Sequence, residues 1–309
     1  IYSLNFEGEI LKFNNENIKL IDKYLIDYPI VNNEPVSFSL IGNDFVIGYK
    51  SGEIIKTNNS GIIIWTYKNS NFLNTPIKYY DNNLIILYPD KLVILSPENG
   101  KIIFEKQYLS RNIIQSSGGK IANYFNLIFF ILPNSEFRLF DTFLYEEYIS
   151  DINNIEITTS LNNLNDNIHV YKNLLVYLDN GNIINTYDLI NNKFILSKFI
   201  LNKSDSYFLF NNVFINKYQN YIEFYNIKNG KQFLKINVKK ILRKDSKIVN
   251  VLMIDDKLHI FDDQGIVLAL NKDYEIENNI NLKIKDIKKV YSYQDKIFIT
   301  SEKGITHIF

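Results

Sequence analysis

The feature that most constrains this chain is a short apolar run that returns eight times, at spacings of 39–47 residues. The runs are Ile1–Leu4, Phe45–Gly48, Leu84–Leu87, Leu127–Phe130, Leu174–Tyr177, Val213–Asn216, Leu258–Phe261 and Ile297–Thr300. The surrounding unit is fullest at Val249–Lys272. There Val251–Ile254, Leu258–Phe261 and Ile266–Leu270 are separated by turns at Asp255–Lys257 and Asp262–Gly265. β-Branched and aliphatic residues suit a pleated, half-buried surface, while Asn, Asp and Gly tolerate the positive φ of tight hairpin turns. Polar turns precede other runs, as at Ile41–Asp44, Asp81–Asn83, Tyr171–Asn173, Asn211–Asn212 and Gln294–Lys296. Glycines follow them, at Gly8, Gly52, Gly181, Gly265 and Gly304. Third strands are expected at segments such as Glu53–Lys56 and Lys91–Leu95, and fourth strands at Ile62–Trp65 and Lys101–Phe104.

A repeat of this length fits a four-stranded propeller blade and is too long for a leucine-rich, ankyrin or β-helix repeat. A β-sandwich has short strands too, but no four-strand unit repeated eight times. Helical periodicity is nowhere sustained. The expected fold is therefore an all-β, eight-bladed β-propeller of four-stranded antiparallel blades over residues 1–309 as one domain, with seven blades as the fallback. The first unit lacks its first strand, and the last stops at a third strand, Ile305–Phe309. Closed propellers commonly join their ends by lending an N-terminal strand to the last blade. That strand is expected upstream of Ile1, where the chain begins without Met.

Composition narrows the function classes. Hydrophobic residues make up 46% of the chain, enough for a core and too many for disorder. Lys+Arg and Asp+Glu balance at 34 each, which argues against the basic excess of a nucleic-acid binder. With no cysteine there is no disulfide, thiol nucleophile or thiolate metal site. The longest apolar run, Leu127–Leu132, has strand length and falls far short of a membrane-spanning helix.

Catalytic signatures are not found. His169, His259 and His307 each fall in a different expected strand, without a second ligand or base at fixed spacing. Asp255-Asp256 and Asp262-Asp263 are read as turn formers, since no calcium-loop ladder follows them. Glu146, Glu147, Asp151 and Glu156 form an acidic run at the fourth blade's outer strand, where charge protects an open edge. No cofactor and no metal are expected.

Gly61-Ile62-Ile63-Ile64-Trp65, Gly100-Lys101-Ile102-Ile103-Phe104 and Gly230-Lys231-Gln232-Phe233-Leu234 resemble the Gly-Lys-x-x-Trp element of PQQ-like repeats. Ser96–Gly100 resembles that superfamily's Asp-x-x-x-Gly turn. Within it, the order of parts is most similar to the BamB family of outer-membrane assembly lipoproteins. Ile241–Lys244 leading into Ile248–Leu270 resembles that family's seventh repeat. The resemblance implies a non-enzymatic periplasmic scaffold of the β-barrel assembly machinery, tethered to the outer membrane of a Gram-negative bacterium by a lipid on an upstream cysteine. It also implies docking onto the periplasmic domains of a BamA-type barrel protein, with unfolded outer-membrane proteins as further clients.

The family's docking elements lie in the connectors after its third and fourth repeats. The first resembles Leu109-Ser110-Arg111-Asn112, with Leu109, Arg111 and Asn112 as contact residues. The second falls on Asn163-Leu164-Asn165-Asp166, where Asn163, Asn165 and Asp166 are the candidates and one of the family's two acidic residues is retained. Successive connectors emerge on one propeller face, so Arg111 and Asp166 are expected near each other. Two alternatives share the scaffold. A PQQ-dependent dehydrogenase uses calcium ligands, a vicinal cysteine pair and repeated tryptophans, whereas this chain has no Cys and one Trp. A WD40-like adaptor has a Gly-His…Trp-Asp pairing in each repeat, which is absent here.

Overall fold

In the computed structural model, residues 1–5, 8–14, 19–26, 28, 34–108, 121–131, 137–147, 168–178, 183–191, 193–199, 206–293, 296–302 and 305–309 are described. Leu109, Arg111, Asn112, Asn163, Asn165 and Asp166 lie outside them. The chain is all-β, an eight-bladed β-propeller of antiparallel blades. Among the described residues six blades have four strands, and the first and last have three. The chain divides into two compact units, Ile1–Asn165 and Asp166–Phe309.

The first unit holds four blades. The first blade pairs β1 (Tyr2–Leu4), β2 (Glu9–Phe13) and β3 (Leu20–Leu25). The second is β4 (Pro35–Ile41), β5 (Asp44–Tyr49), β6 (Ile54–Thr57) and β7 (Ile63–Tyr67). The third is β8 (Lys78–Tyr80), β9 (Asn83–Leu87), β10 (Lys91–Leu95) and β11 (Ile102–Gln107). The fourth is β12 (Ile121–Tyr124), β13 (Leu127–Ile131), β14 (Phe137–Asp141) and β15 (Glu146–Glu147).

The second unit repeats the plan. Its fifth blade is β16 (Ile168–Tyr171), β17 (Leu174–Leu178), β18 (Ile183–Asp188) and β19 (Lys193–Phe199). The sixth is β20 (Ser206–Phe210), β21 (Val213–Tyr218), β22 (Tyr221–Asn226) and β23 (Gln232–Asn237). The seventh is β24 (Ile248–Ile254), β25 (Lys257–Asp262), β26 (Ile266–Leu270) and β27 (Ile276–Asn281), and the eighth β28 (Ile287–Tyr293), β29 (Lys296–Ser301) and β30 (Thr306–Ile308). Every strand pairs with its neighbour in sequence, so each blade is a meander. The three histidines fall on β16, β25 and β30, in three separate blades.

The core lies between adjacent blades. Their second and third strands are buried on both faces, as in β9, where every residue is buried. This explains why those runs read as continuous apolar stretches instead of alternating ones. Within the first unit, Val46, Ile54, Trp65, Leu84 and Val93 form one interblade layer, and Ile85, Ile94, Ile128 and Phe140 form the next. Within the second, Ile215, Phe224, Val251, Ile260 and Leu268 do the same.

Two of the first-to-second turns adopt a pair of positive φ angles without glycine. Asp81 and Asn82 (49° and 55°), and Asp255 and Asp256 (49° and 62°), supply the left-handed pair that a tight hairpin requires. The third and fourth strands pair with a bulge at one recurring place, after Lys12, Lys56, Ile94, Thr186, Phe224 and Ala269. Beyond the bulge, one residue of the fourth strand stands opposite that position: Asp22, Trp65, Phe104, Leu196, Leu234 and Asn278 respectively. Where this anchor position holds an aromatic ring, it meets the next blade. Trp65 sits beneath the Pro97–Gly100 turn of the third blade. The Phe104 ring lies 4.7 Å from Phe140 and 6.4 Å from Tyr145 of the fourth. The Gly-Lys-x-x-Trp resemblance falls on this element.

Candidate partner-docking face

Connectors between blades emerge beside the turns that join second to third strands, and hydrogen bonds lace the two together. In four blades the residue that leaves the fourth strand donates its amide to such a turn in its own blade: Ile26 to Gly8, Tyr108 to Asp90, Val238 to Asn220 and Leu282 to Gly265. Connector backbone also runs hard against the turn glycines. A Cβ on Gly52 would lie 2.0 Å from the Asn71 carbonyl oxygen, and one on Gly265 2.0 Å from that of Ile284. Their φ angles of 94° and 86° add a second reason for glycine there.

Tyr108 roots the connector that carries Leu109, Arg111 and Asn112. Its backbone N–H donates to Asp90 at 2.6 Å. Its ring is buried, 5.9 Å from Phe130, with the Lys106 ammonium 5.7 Å and the Arg138 guanidinium 5.8 Å from its centre. Burial, and then the nearby Glu147 carboxylate, push the phenol's pKa up, so it stays neutral. Glu147 accepts from Lys106 at 2.7 Å, which holds β15 against β11. The acidic run noted in the sequence thus serves partly as an interblade tie. On the same surface Asn71 donates to the Asp90 carboxylate, and Leu73 donates its amide to Lys50 at 3.1 Å.

In the second unit the connector Val238–Lys247 is described throughout. Ile241 and Leu242 donate to Val238, and Leu242 is buried among Ile222, Val251 and Leu258. Lys217 is fully buried beneath it. Its ammonium donates to the carbonyl oxygens of Gln219 at 3.1 Å and Lys244 at 3.0 Å, pinning turn and connector to one cation. The Ile241–Lys244 segment is therefore a fixed part of this face.

Sequence reasoning missed Tyr108 and Lys217. Tyr108 has a signal, since an apolar residue directly follows the fourth strand at Ile26, Tyr108, Val238 and Leu282. Lys217 has none, because its partners are backbone carbonyls. Among the described residues no group of three or more His, Cys, Asp or Glu is gathered as a metal site. Nor is any helix there long and apolar enough to cross a membrane.

The chain is similar to BamB from Moraxella catarrhalis. The two superpose with a TM-score of 0.74 at 13% identity, covering 99% of this chain and 90% of BamB. The computationally designed Ika8 protein is also similar, with a TM-score of 0.55 and 9% identity over 90% of this chain and 96% of that one. Hsv2 from Kluyveromyces lactis gives 0.58 and 13% over 90% and 97%. Identities this low establish the shared propeller fold. No protein-family model and no curated protein matches the chain.

Proposed function

We propose that this protein is a non-enzymatic scaffold in outer-membrane β-barrel assembly, held at the periplasmic side of that membrane and docked on the periplasmic domains of a BamA-type barrel protein. The observation that carries this reading is the structural likeness to BamB across 99% of the chain. The connector rooted at Tyr108 provides the docking element, with Leu109, Arg111 and Asn112 as contacts. Asn163, Asn165 and Asp166 of the next connector supply the second. Arginine suits this role because its planar guanidinium is weakly hydrated and anchors interfaces well.

Unfolded clients engage a different surface. Outer strands carry exposed apolar side chains, among them Ile64 on β7, Ile102 and Ile103 on β11, Phe194 and Ile195 on β19 and Phe233 on β23. An extended segment added to such an edge gains main-chain hydrogen bonds that are indifferent to sequence. The test is a pull-down with the periplasmic domains of a BamA-type protein, comparing wild type with Arg111→Glu. Loss of binding with the fold intact by circular dichroism supports both role and site. Unchanged binding keeps the role and discards the site, and no binding by wild type overturns the role.

A further inference from the structure

The anchor position of the seventh blade breaks the pattern of its neighbours. Trp65, Phe104, Leu196 and Leu234 occupy it in four blades, but the seventh has Asn278, with only the Ala269 methyl opposite. The first blade also has a polar residue there, Asp22, whose carboxylate takes the Tyr24 hydroxyl at 2.7 Å. Asn278 has no such partner. Its Oδ1 accepts from the Asn279 amide at 2.8 Å, and its Nδ2 has no partner among the described residues.

Beside Ala269 and Asn278, where the sister blades carry a bulky side chain, the seventh blade bears an open cavity of about 360 Å³ lined by its own strands, within the range of small-ligand sites. Ile254 and Ile280 give it apolar walls, and the imidazole of His259 forms another side. Nδ1 of His259 lies 3.2 Å from the Lys257 carbonyl oxygen, so Nε2 remains available. At the rim Lys257 and Glu277 neutralise each other at 2.7 Å. The site therefore offers apolar walls, one aromatic face, an amide donor and an imidazole nitrogen, with the Asp255 carboxylate at its edge beside the neutralised rim pair.

Sister positions show what such a slot holds. Trp65 places a ring between its own blade and the next, with its N–H satisfied by a carbonyl. Phe104 places a ring between β11 and the fourth blade. The geometry points to the seventh-blade cavity as a binding site for a planar aromatic group bearing a hydrogen-bonding edge, an indole or a phenol. The ring lies over Ala269 between Ile254 and Ile280 and meets His259 edge to face or offset. Its polar edge bonds to Asn278 Nδ2 or His259 Nε2. The group comes either from a partner's Trp or Tyr side chain or from a free aromatic molecule. This inference goes beyond the assembly role and does not depend on it.

The test uses the full chain and amide-resolved NMR, titrated to millimolar concentration with N-acetyl-tryptophanamide, free indole, and N-acetyl-leucinamide as an apolar control. The expected result is saturable shifts confined to Ile254–His259, Ala269 and Glu277–Ile280 with an aromatic probe, and none with the leucine probe. Asn278→Trp restores the anchor found in the second blade and fills the slot. It should abolish these shifts without lowering thermal stability, while His259→Ala weakens binding several-fold. Ala269→Leu fills the slot from the other strand, should Asn278→Trp fail to fold. Binding of both aromatic probes assigns the site to a side chain, and binding of indole alone to a free molecule. Absence of shifts with both aromatics, equal response to the leucine probe, or undiminished binding in a filled variant overturns the proposal.

Discussion

The indole Nε1 of Trp65 donates to the carbonyl oxygen of Pro97 at 3.2 Å, joining the outer strand of the second blade to a turn of the third. The only tryptophan of the chain is thus an interblade anchor, 8% exposed. Trp65→Ala should cost about 3–5 kcal/mol, from lost burial and the cavity left behind. Trp65→Phe keeps most of the packing and orphans the Pro97 carbonyl, for about 1–3 kcal/mol. Urea unfolding measures both. The wild-type indole emission also serves as a probe, shifting red when these two blades part.

Gly100 closes the same contact. Its φ is 69°, and a Cβ there would stand 2.6 Å from the Trp65 ring. Gly100→Ala should destabilise through two separable effects: a left-handed backbone, about 1–2 kcal/mol, and displacement of the ring. In a Trp65→Ala background only the first remains. A double-mutant cycle should therefore give a clear coupling energy, and strict additivity would show that ring and turn do not constrain each other.

These two residues also show how far the sequence could be read. The Gly61–Trp65 and Gly100–Phe104 elements were legible because a left-handed turn and a large ring are chemical demands that few residues meet. The eight repeats were legible because doubly buried strands need unbroken apolar runs. The expected short blades at both ends, and the histidines on separate strands, follow from the same register. Two carboxyls show where reading stopped. Asp262-Asp263 reads as an ordinary turn, and the turn is there, but the burial of Asp262 to 1% exposure is set by packing that the local sequence does not record. Glu223 looks like any strand glutamate, yet packing encloses it at 1% exposure. The candidate docking residues were named by resemblance alone, and only their root at Tyr108 falls within the described residues.

Glu223 carries the third prediction. Burial alone raises its pKa, but hydrogen bonds from Lys235 (2.9 Å), Tyr225 (2.9 Å) and Asn216 (3.3 Å) outweigh this and leave it below the usual value. A carboxylate lowered in this way stabilises the fold at pH values above the unfolded pKa of about 4.3, and that contribution is lost as pH falls through the folded value. Lys235→Met leaves the buried charge short of its cation and should cost about 2–3 kcal/mol at neutral pH, discounted because Lys235 is itself half exposed. The acid loss should also begin at higher pH in the variant. Urea midpoints between neutral pH and pH ~3 test both, since they span the ordinary carboxylate range.

Asp262 and Asp188 should respond to pH with opposite signs. Burial, aided by the adjacent Asp263, raises the pKa of Asp262 although its Oδ1 accepts from Ile266 at 2.6 Å and Gln264 at 3.1 Å. A raised carboxyl holds its proton more tightly when folded. Its penalty is therefore absent below the unfolded pKa of about 3.9 and fully present above the folded one. Asp262→Asn keeps the Oδ1 acceptor and removes the charge, so it should stabilise at neutral pH and lose that advantage in acid. Asp188 is lowered to about 2, chiefly by the Asn191 side chain at 2.7 Å, with further bonds from the Asn191 and Ile190 amides and Asn173. Its contribution is present above about 3.9 and fades as pH falls towards 2. Asp188→Asn should therefore destabilise at neutral pH and converge on wild type in acid. Thermal midpoints of the two variants against pH should diverge from wild type in opposite directions as pH rises. Parallel curves would mean that neither carboxyl titrates differently in the folded and unfolded chain.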